Sequence, residues 1–264
     1  FCQNAEGNAS MKARETLFAQ LRKQGAWNPQ AVADDVRRMC LGVEYGARKA
    51  AVDAKVTFRK YSAGARLAGA WGYYAPSDVW LHAYTGRRRG CLVDAPEDSL
   101  DSYIYEYDDA GQLLRILFPA RNVATYCLQN EAGGLYVTYK GYLYAAEAGL
   151  AGAVLWENDE AGRKKTLLAV TWMVDDVRVT RMEAEIYRPL CRDRALCDCI
   201  TYDANFRCAP PQAPWMVCRE AWLLAYRGTK IMRMYALRRW KTERPRQCQW
   251  KELKRGKSAE EGTV

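Results

Sequence analysis

Leu168-Ala169-Val170-Thr171-Trp172-Met173-Val174 puts Leu168, Val170, Trp172 and Val174 on one side of the chain, opposite Thr171 and Met173. A period of two marks a strand with one buried face. Asp175-Asp176 interrupts the run, and Val177 and Val179 then alternate with Arg178 and Thr180. Two alternating runs about a short acidic break read as an antiparallel hairpin. Towards the N-terminus the same grammar recurs. Tyr103, Tyr105 and Tyr107 share one face, and an acidic-Ala-Gly turn appears at Asp109-Ala110-Gly111, Glu131-Ala132-Gly133 and Glu160-Ala161-Gly162. Glycine there supplies the positive φ of a short hairpin loop. Residues 100–188 are therefore expected to form an antiparallel meander.

The period differs before residue 59. Met11, Leu17, Phe18 and Leu21 fall on one helical face, Gly25-Ala26-Trp27 breaks it, and Asn28-Pro29 is a helix start. The stripe Val32, Val36, Met39, Cys40, Val43, Ala47 and Ala50 extends for five turns, so residues 1–58 read as a helical hairpin. Gly42-x-x-x-Gly46 inside it reads as a close packing contact. The Gly-, Ala-, Tyr- and Trp-rich passage that follows is expected to be loop, with a first strand near Val79–Tyr84.

The nine residues Tyr105-Glu106-Tyr107-Asp108-Asp109-Ala110-Gly111-Gln112-Leu113 resemble one unit of the YD-repeat family, Y-x-Y-D-x-x-G-x-L. The resemblance implies a hairpin at this place and carries no function with it.

Residues 189–218 hold five cysteines with Pro189, Pro210, Pro211 and Pro214, and are expected to need cross-links to become ordered. Trp222–Tyr226 and Lys230–Trp240 flank Arg227-Gly228-Thr229 as one more hairpin, the second arm being open to a helical reading. The chain after Lys254 reads as a tail. The expected organisation is α+β: a helical hairpin (1–58), a large antiparallel meander curled into a barrel or sandwich (59–188), and a disulfide-stapled region with a basic hairpin and tail (189–264) continuous with it.

Among 264 residues, 49% hydrophobic and 27% charged are ordinary globular values and exclude wholesale disorder. Tyr 17 and Trp 9 against Phe 5 favour sheet. One histidine, His82, excludes multi-histidine metal sites. The ten cysteines Cys2, Cys40, Cys91, Cys127, Cys191, Cys197, Cys199, Cys208, Cys218 and Cys248 are an even count. With a first residue other than Met, that count reads as a secreted or periplasmic chain with its signal peptide removed and its cysteines paired. Cys191-x5-Cys197-x-Cys199-x8-Cys208 fits zinc spacing poorly, so no metal and no cofactor are expected. No apolar run reaches the ~18 residues of a membrane helix.

Charge is the most asymmetric property. The whole chain is +9, yet residues 219–264 alone carry thirteen Lys or Arg against five Asp or Glu. Arg233, Arg238, Arg239, Lys241, Arg244 and Arg246 stand among Tyr235 and Trp240, a mixture suited to anionic polymers and equally to a solvated strand with a solubilising tail. Arg87-Arg88-Arg89 between Gly86 and Gly90 is a second basic point, either an anion grip or an exposed turn. Catalytic readings are thin. Glu183 and Glu185 lie on one side of a single strand, with Arg181 as an ordinary partner of Glu183. Cys91 and His82 straddle a turn, but Cys91 is expected to be bonded, Cys127 being a candidate partner. Tyr136, Tyr142 and Tyr144 could line a sugar groove or simply pack a sheet.

The reading that results is an exported, non-catalytic binding or envelope-associated protein, its basic C-terminal face meeting an anionic glycan, lipopolysaccharide or acidic protein rather than nucleic acid. A secreted glycan hydrolase with a carboxylate pair, and a structural subunit that binds another protein, are the rivals.

Overall fold

The computed structural model describes residues 13–23, 27–63, 71–77, 79, 90–96, 102–143, 148–174, 178–204 and 216–241, without the side chains of residues 63, 216 and 237–241. Three helices come first: α1 (13–22), α2 (Pro29–Leu41) and α3 (Tyr45–Asp53). Twelve strands follow: β1 (Phe58–Ala63), β2 (Cys91–Val93), β3 (Ile104–Tyr107), β4 (Leu113–Phe118), β5 (Val123–Asn130), β6 (Gly133–Lys140), β7 (Gly149–Asn158), β8 (Lys164–Trp172), β9 (Val179–Cys191), β10 (Arg194–Asp203), β11 (Met216–Arg227) and β12 (Lys230–Lys241). They hydrogen-bond in the order β12-β11-β10-β9-β8-β7-β6-β5-β4-β3-β1-β2. The α+β class with a large antiparallel meander is thus observed. Among the described residues no helix is long and apolar enough to cross a membrane.

The chain divides into two compact units. A middle unit comprises Leu41–Leu155 with Thr171–Arg178, and a terminal unit comprises Phe1–Cys40, Trp156–Val170 and Val179–Val264.

In the middle unit the turn chemistry is as expected. Gly111 and its Asp108 anchor close the β3–β4 hairpin: Gly111 has φ +78°, and the Gln112 N–H donates to Asp108 Oδ1 at 2.7 Å. This is the hairpin implied by the YD-repeat resemblance. Tyr103, Tyr105 and Tyr107 are all buried, with Tyr103 stacked on Phe118 at 4.2 Å between ring centroids. Tyr45 of α3 lies against Tyr126 and Tyr139, 6.1 and 4.9 Å between centroids.

Beside these rings sits a buried ion network. Glu106 is fully buried; its Oε1 accepts from Arg59 at 2.8 Å and its Oε2 from Arg115 Nε at 2.5 Å. Arg115 also reaches Asp53 at the end of α3, at 2.8 Å.

In the terminal unit α2 starts where expected: Asn28 Oδ1 accepts from the N–H groups of Gln30 (3.1 Å) and Ala31 (3.2 Å). Its buried face is Pro29, Val32, Ala33, Val36 and Cys40. Arg22 of α1 bonds Thr166 of β8 at 3.2 Å and pairs with Glu157, and Trp27 meets Tyr202 of β10 at 6.1 Å between centroids.

Four expectations change. The five-turn stripe is broken after Leu41, because Gly42 ends α2 and α3 begins at Tyr45, so the hairpin becomes three helices. Gly46 is no packing contact, since a Cβ built there meets nothing within 4 Å. The first strand is β1, starting at Phe58; Val79 is helical, and residues 80–89 lie outside the described residues. The segment from 189 is ordered by sheet pairing instead of cross-links: β10 is paired over its whole length with β9 on one side and β11 on the other.

The seven described cysteines, Cys40, Cys91, Cys127, Cys191, Cys197, Cys199 and Cys218, are all unbonded. Cys91 is exposed while Cys127 is buried with its thiol turned to the Thr125 carbonyl at 3.7 Å, so the two are not partners. Cys2, Cys208 and Cys248 lie outside the described residues.

Candidate functional site

Residues directly opposite one another in a sheet share a face, so the register of β9–β12 sorts the side chains of the terminal unit into two sets. On one face the cross-strand rows read Arg194–Ala225–Arg233, then Arg188–Leu196–Leu223–Tyr235, then Ile186–Asp198–Ala221–Arg238, then Ala184–Ile200–Arg219–Trp240. Arg227 and Lys230 face each other at the turn end, where Gly228 adopts φ +60°. Arg188, Arg194, Arg219, Arg227, Lys230, Arg233 and Tyr235 are exposed; Leu196, Ala221, Leu223 and Ala225 form a half-buried apolar floor between them. The single acid in these rows is Asp198, and it is ion-paired with Arg188.

Two irregularities gather this set. β12 carries one extra residue between the partners of Ala221 and Trp222, and another between the partners of Ala225 and Tyr226. Each bulge shifts the alternation by one. The first brings Arg238 and Trp240 to the rows of Tyr235; the second brings Lys230 to the row end beside Arg233. Neighbouring strands are about 4.8 Å apart, so Arg194 and Arg233 stand about 10 Å apart across β11.

The other face collects acids and thiols. Its rows are Arg181–Asp203, Glu183–Thr201–Cys218, Glu185–Cys199–Glu220 and Tyr187–Cys197–Trp222. Arg181 donates to Glu183 Oε1 at 2.7 Å, and Tyr187 OH donates to Glu185 Oε2 at 2.6 Å. The Cys197 and Cys199 sulfurs are 3.7 Å apart. Burial raises the Glu183 carboxyl above its ordinary value against the pull of Arg181. It also raises the Cys197 thiol and, with Glu185 alongside, the Tyr187 hydroxyl. Cys199 is raised by its bond to Cys197 and by burial. Among the described residues no group of three or more His, Cys, Asp or Glu side chains is placed to hold a metal ion.

The residues expected to bind anions are therefore divided. Arg233 lies exposed on the basic face, with Arg238 and Trp240 at register positions in the same rows. Arg239 and Lys241 fall at positions opposite Glu220 and Cys218, in the acidic rows. Arg244, Arg246, Arg87, Arg88, Arg89 and His82 lie outside the described residues. The sequence reading missed Arg188, Arg194, Arg219, Arg227 and Lys230 as members; the signal was the alternation of basic residues with Cys197 and Cys199 partners along β9–β11. Of the tyrosines considered for a sugar groove, Tyr136 is buried and Tyr144 is outside the described residues. No known protein family, curated protein or solved structure matches the chain.

Proposed function

We propose that the chain is a non-catalytic binding protein whose basic face on β9–β12 takes an extended anionic polymer, of the anionic-glycan or lipopolysaccharide class if it is exported. The supporting observation is the gathering of six exposed cations and Tyr235 on one face that has a single acid. Spaced guanidiniums around a half-apolar floor can neutralise successive charges while the floor and Tyr235 meet the polymer's apolar faces. The same proposal takes the meander to be curled into a barrel or sandwich, a form that limits exposed strand edges. Export itself rests on the even cysteine count.

Heparin serves as the test polymer. Binding driven by charge neutralisation releases counterions and weakens steeply with salt. The Arg194→Gln, Arg219→Gln, Arg233→Gln triple variant is expected to leave a heparin column at clearly lower salt, with an unchanged far-ultraviolet spectrum, because exposed charges contribute within about 0.5 kcal/mol of stability. Equal elution of variant and wild type would reduce the face to a solubility device. Release of shortened chains from a glycan by the folded protein, lost in Glu183→Gln, would favour the hydrolase instead.

A further inference from the structure

The acidic rows of the same sheet carry a second chemistry that anion binding does not use. Cys197 and Cys199 are 0% and 5% exposed and point their sulfurs at each other from one strand. Residues i and i+2 of a strand are about 6.6 Å apart, whereas a disulfide needs Cβ atoms within about 3.5–4.5 Å. Closing that bond would require β10 to buckle, and β10 is held by pairing along both edges. The dithiol is thus kept close and kept open.

A 3.7 Å gap between sulfurs has a chemical counterpart. Two thiolates on one tetrahedral zinc, each about 2.3 Å from it, are separated by about 3.8 Å. Carboxylates flank the pair: Glu185 on β9 and Glu220 on β11 are the direct cross-strand partners of Cys199, both largely buried. Tyr187, the partner of Cys197, donates to Glu185 and so fixes that carboxylate from behind, as outer partners of metal ligands do.

We propose that Cys197 and Cys199, completed by the carboxylates of Glu220 and Glu185, bind a soft divalent cation of the zinc class. The thiolate edge is placed in advance, and the carboxylates turn in when the ion enters. Charge selects the ion. Two thiols lose two protons to solvent and gain two positive charges, so the buried site keeps its net charge. A monovalent ion would leave an added negative charge beside Glu185 and Glu220, which burial disfavours. Thiolate softness favours zinc and cadmium over magnesium or calcium. Sequence spacing hides such a site, because its four members come from three strands and only the C-x-C step is local.

Cadmium is the probe, added to reduced full-length protein. The thiolate-to-metal charge-transfer band is expected to saturate at one equivalent, with affinity at least 10–100-fold weaker in Glu220→Gln and the band lost in Cys197→Ser/Cys199→Ser. Zinc should compete for the same equivalent, and magnesium should not. A band unchanged in the double serine variant would assign binding to the exposed Cys91 and Cys191 and overturn the proposal. If the serine variants do not fold, cadmium NMR of the wild-type protein decides: a shift typical of two sulfur ligands supports the site, and an all-oxygen shift or no bound signal overturns it.

Discussion

Glu106 accepts from Arg59 with one oxygen and from Arg115 with the other while having no exposed surface. A buried carboxylate is tolerated only with such partners, and removing its charge leaves Arg115, itself 8% exposed in its side chain, without its nearest compensation. Glu106→Gln keeps the shape and removes the charge, so it is expected to cost about 3 kcal/mol or more in urea-measured stability. A loss under about 1 kcal/mol, the value of an exposed pair, would show that the network is not buried in solution. Gly72 is the other sensitive single position. It holds φ +53°, and an added Cβ would come within 2.3 Å of the Tyr105 hydroxyl oxygen and 2.8 Å of Tyr103 Cγ. That hydroxyl accepts from the Tyr73 N–H at 2.7 Å, so a displaced Tyr105 also loses this bond.

At the scale of elements, α3 is tied to the sheet of the middle unit by Asp53 and by the Tyr45 ring. Burial would raise the Asp53 carboxyl, but bonds to Lys49 and Arg115 outweigh it and hold the carboxyl below its ordinary value. A carboxyl lower in the folded state than in the unfolded one stabilises the fold above its unfolded value and loses that contribution as pH falls through the folded value. Stability is therefore expected to decline below about pH 4, less steeply in Asp53→Asn, as measured by urea midpoints across that range. Identical acid profiles for the two proteins would mean that α3 is not held through this carboxylate. The β11–β12 hairpin shows why its turn was readable and its faces were not. Arg227-Gly228-Thr229 announces itself in composition, but the two bulges in β12 leave no mark that strict alternation could reveal.

For the whole molecule, the cysteines carry the sharpest expectation. Seven are described and unbonded, four of them buried. Titration of the denatured, unreduced protein is expected to find seven or more free thiols. That outcome would place the anionic partner in a reducing compartment. Two or fewer would restore the cross-linked, exported chain and put the open Cys197–Cys199 pair in error.

Alternation, acidic-Ala-Gly turns and the Asn28-Pro29 start are local signals, decided by neighbours within a few residues, and from them the sequence determined the α+β class, the antiparallel meander and the start of α2. Cysteine pairing and charge grouping depend on which strands meet and in what register, which is set by long-range pairing. Only the tertiary structure decided that Arg194, Arg219 and Arg233 share a face. Only the register sent Arg239 and Lys241 to positions opposite Glu220 and Cys218. The physical reason is the strand's period of two: one bulged residue exchanges every side chain beyond it between the faces, and no local composition records it.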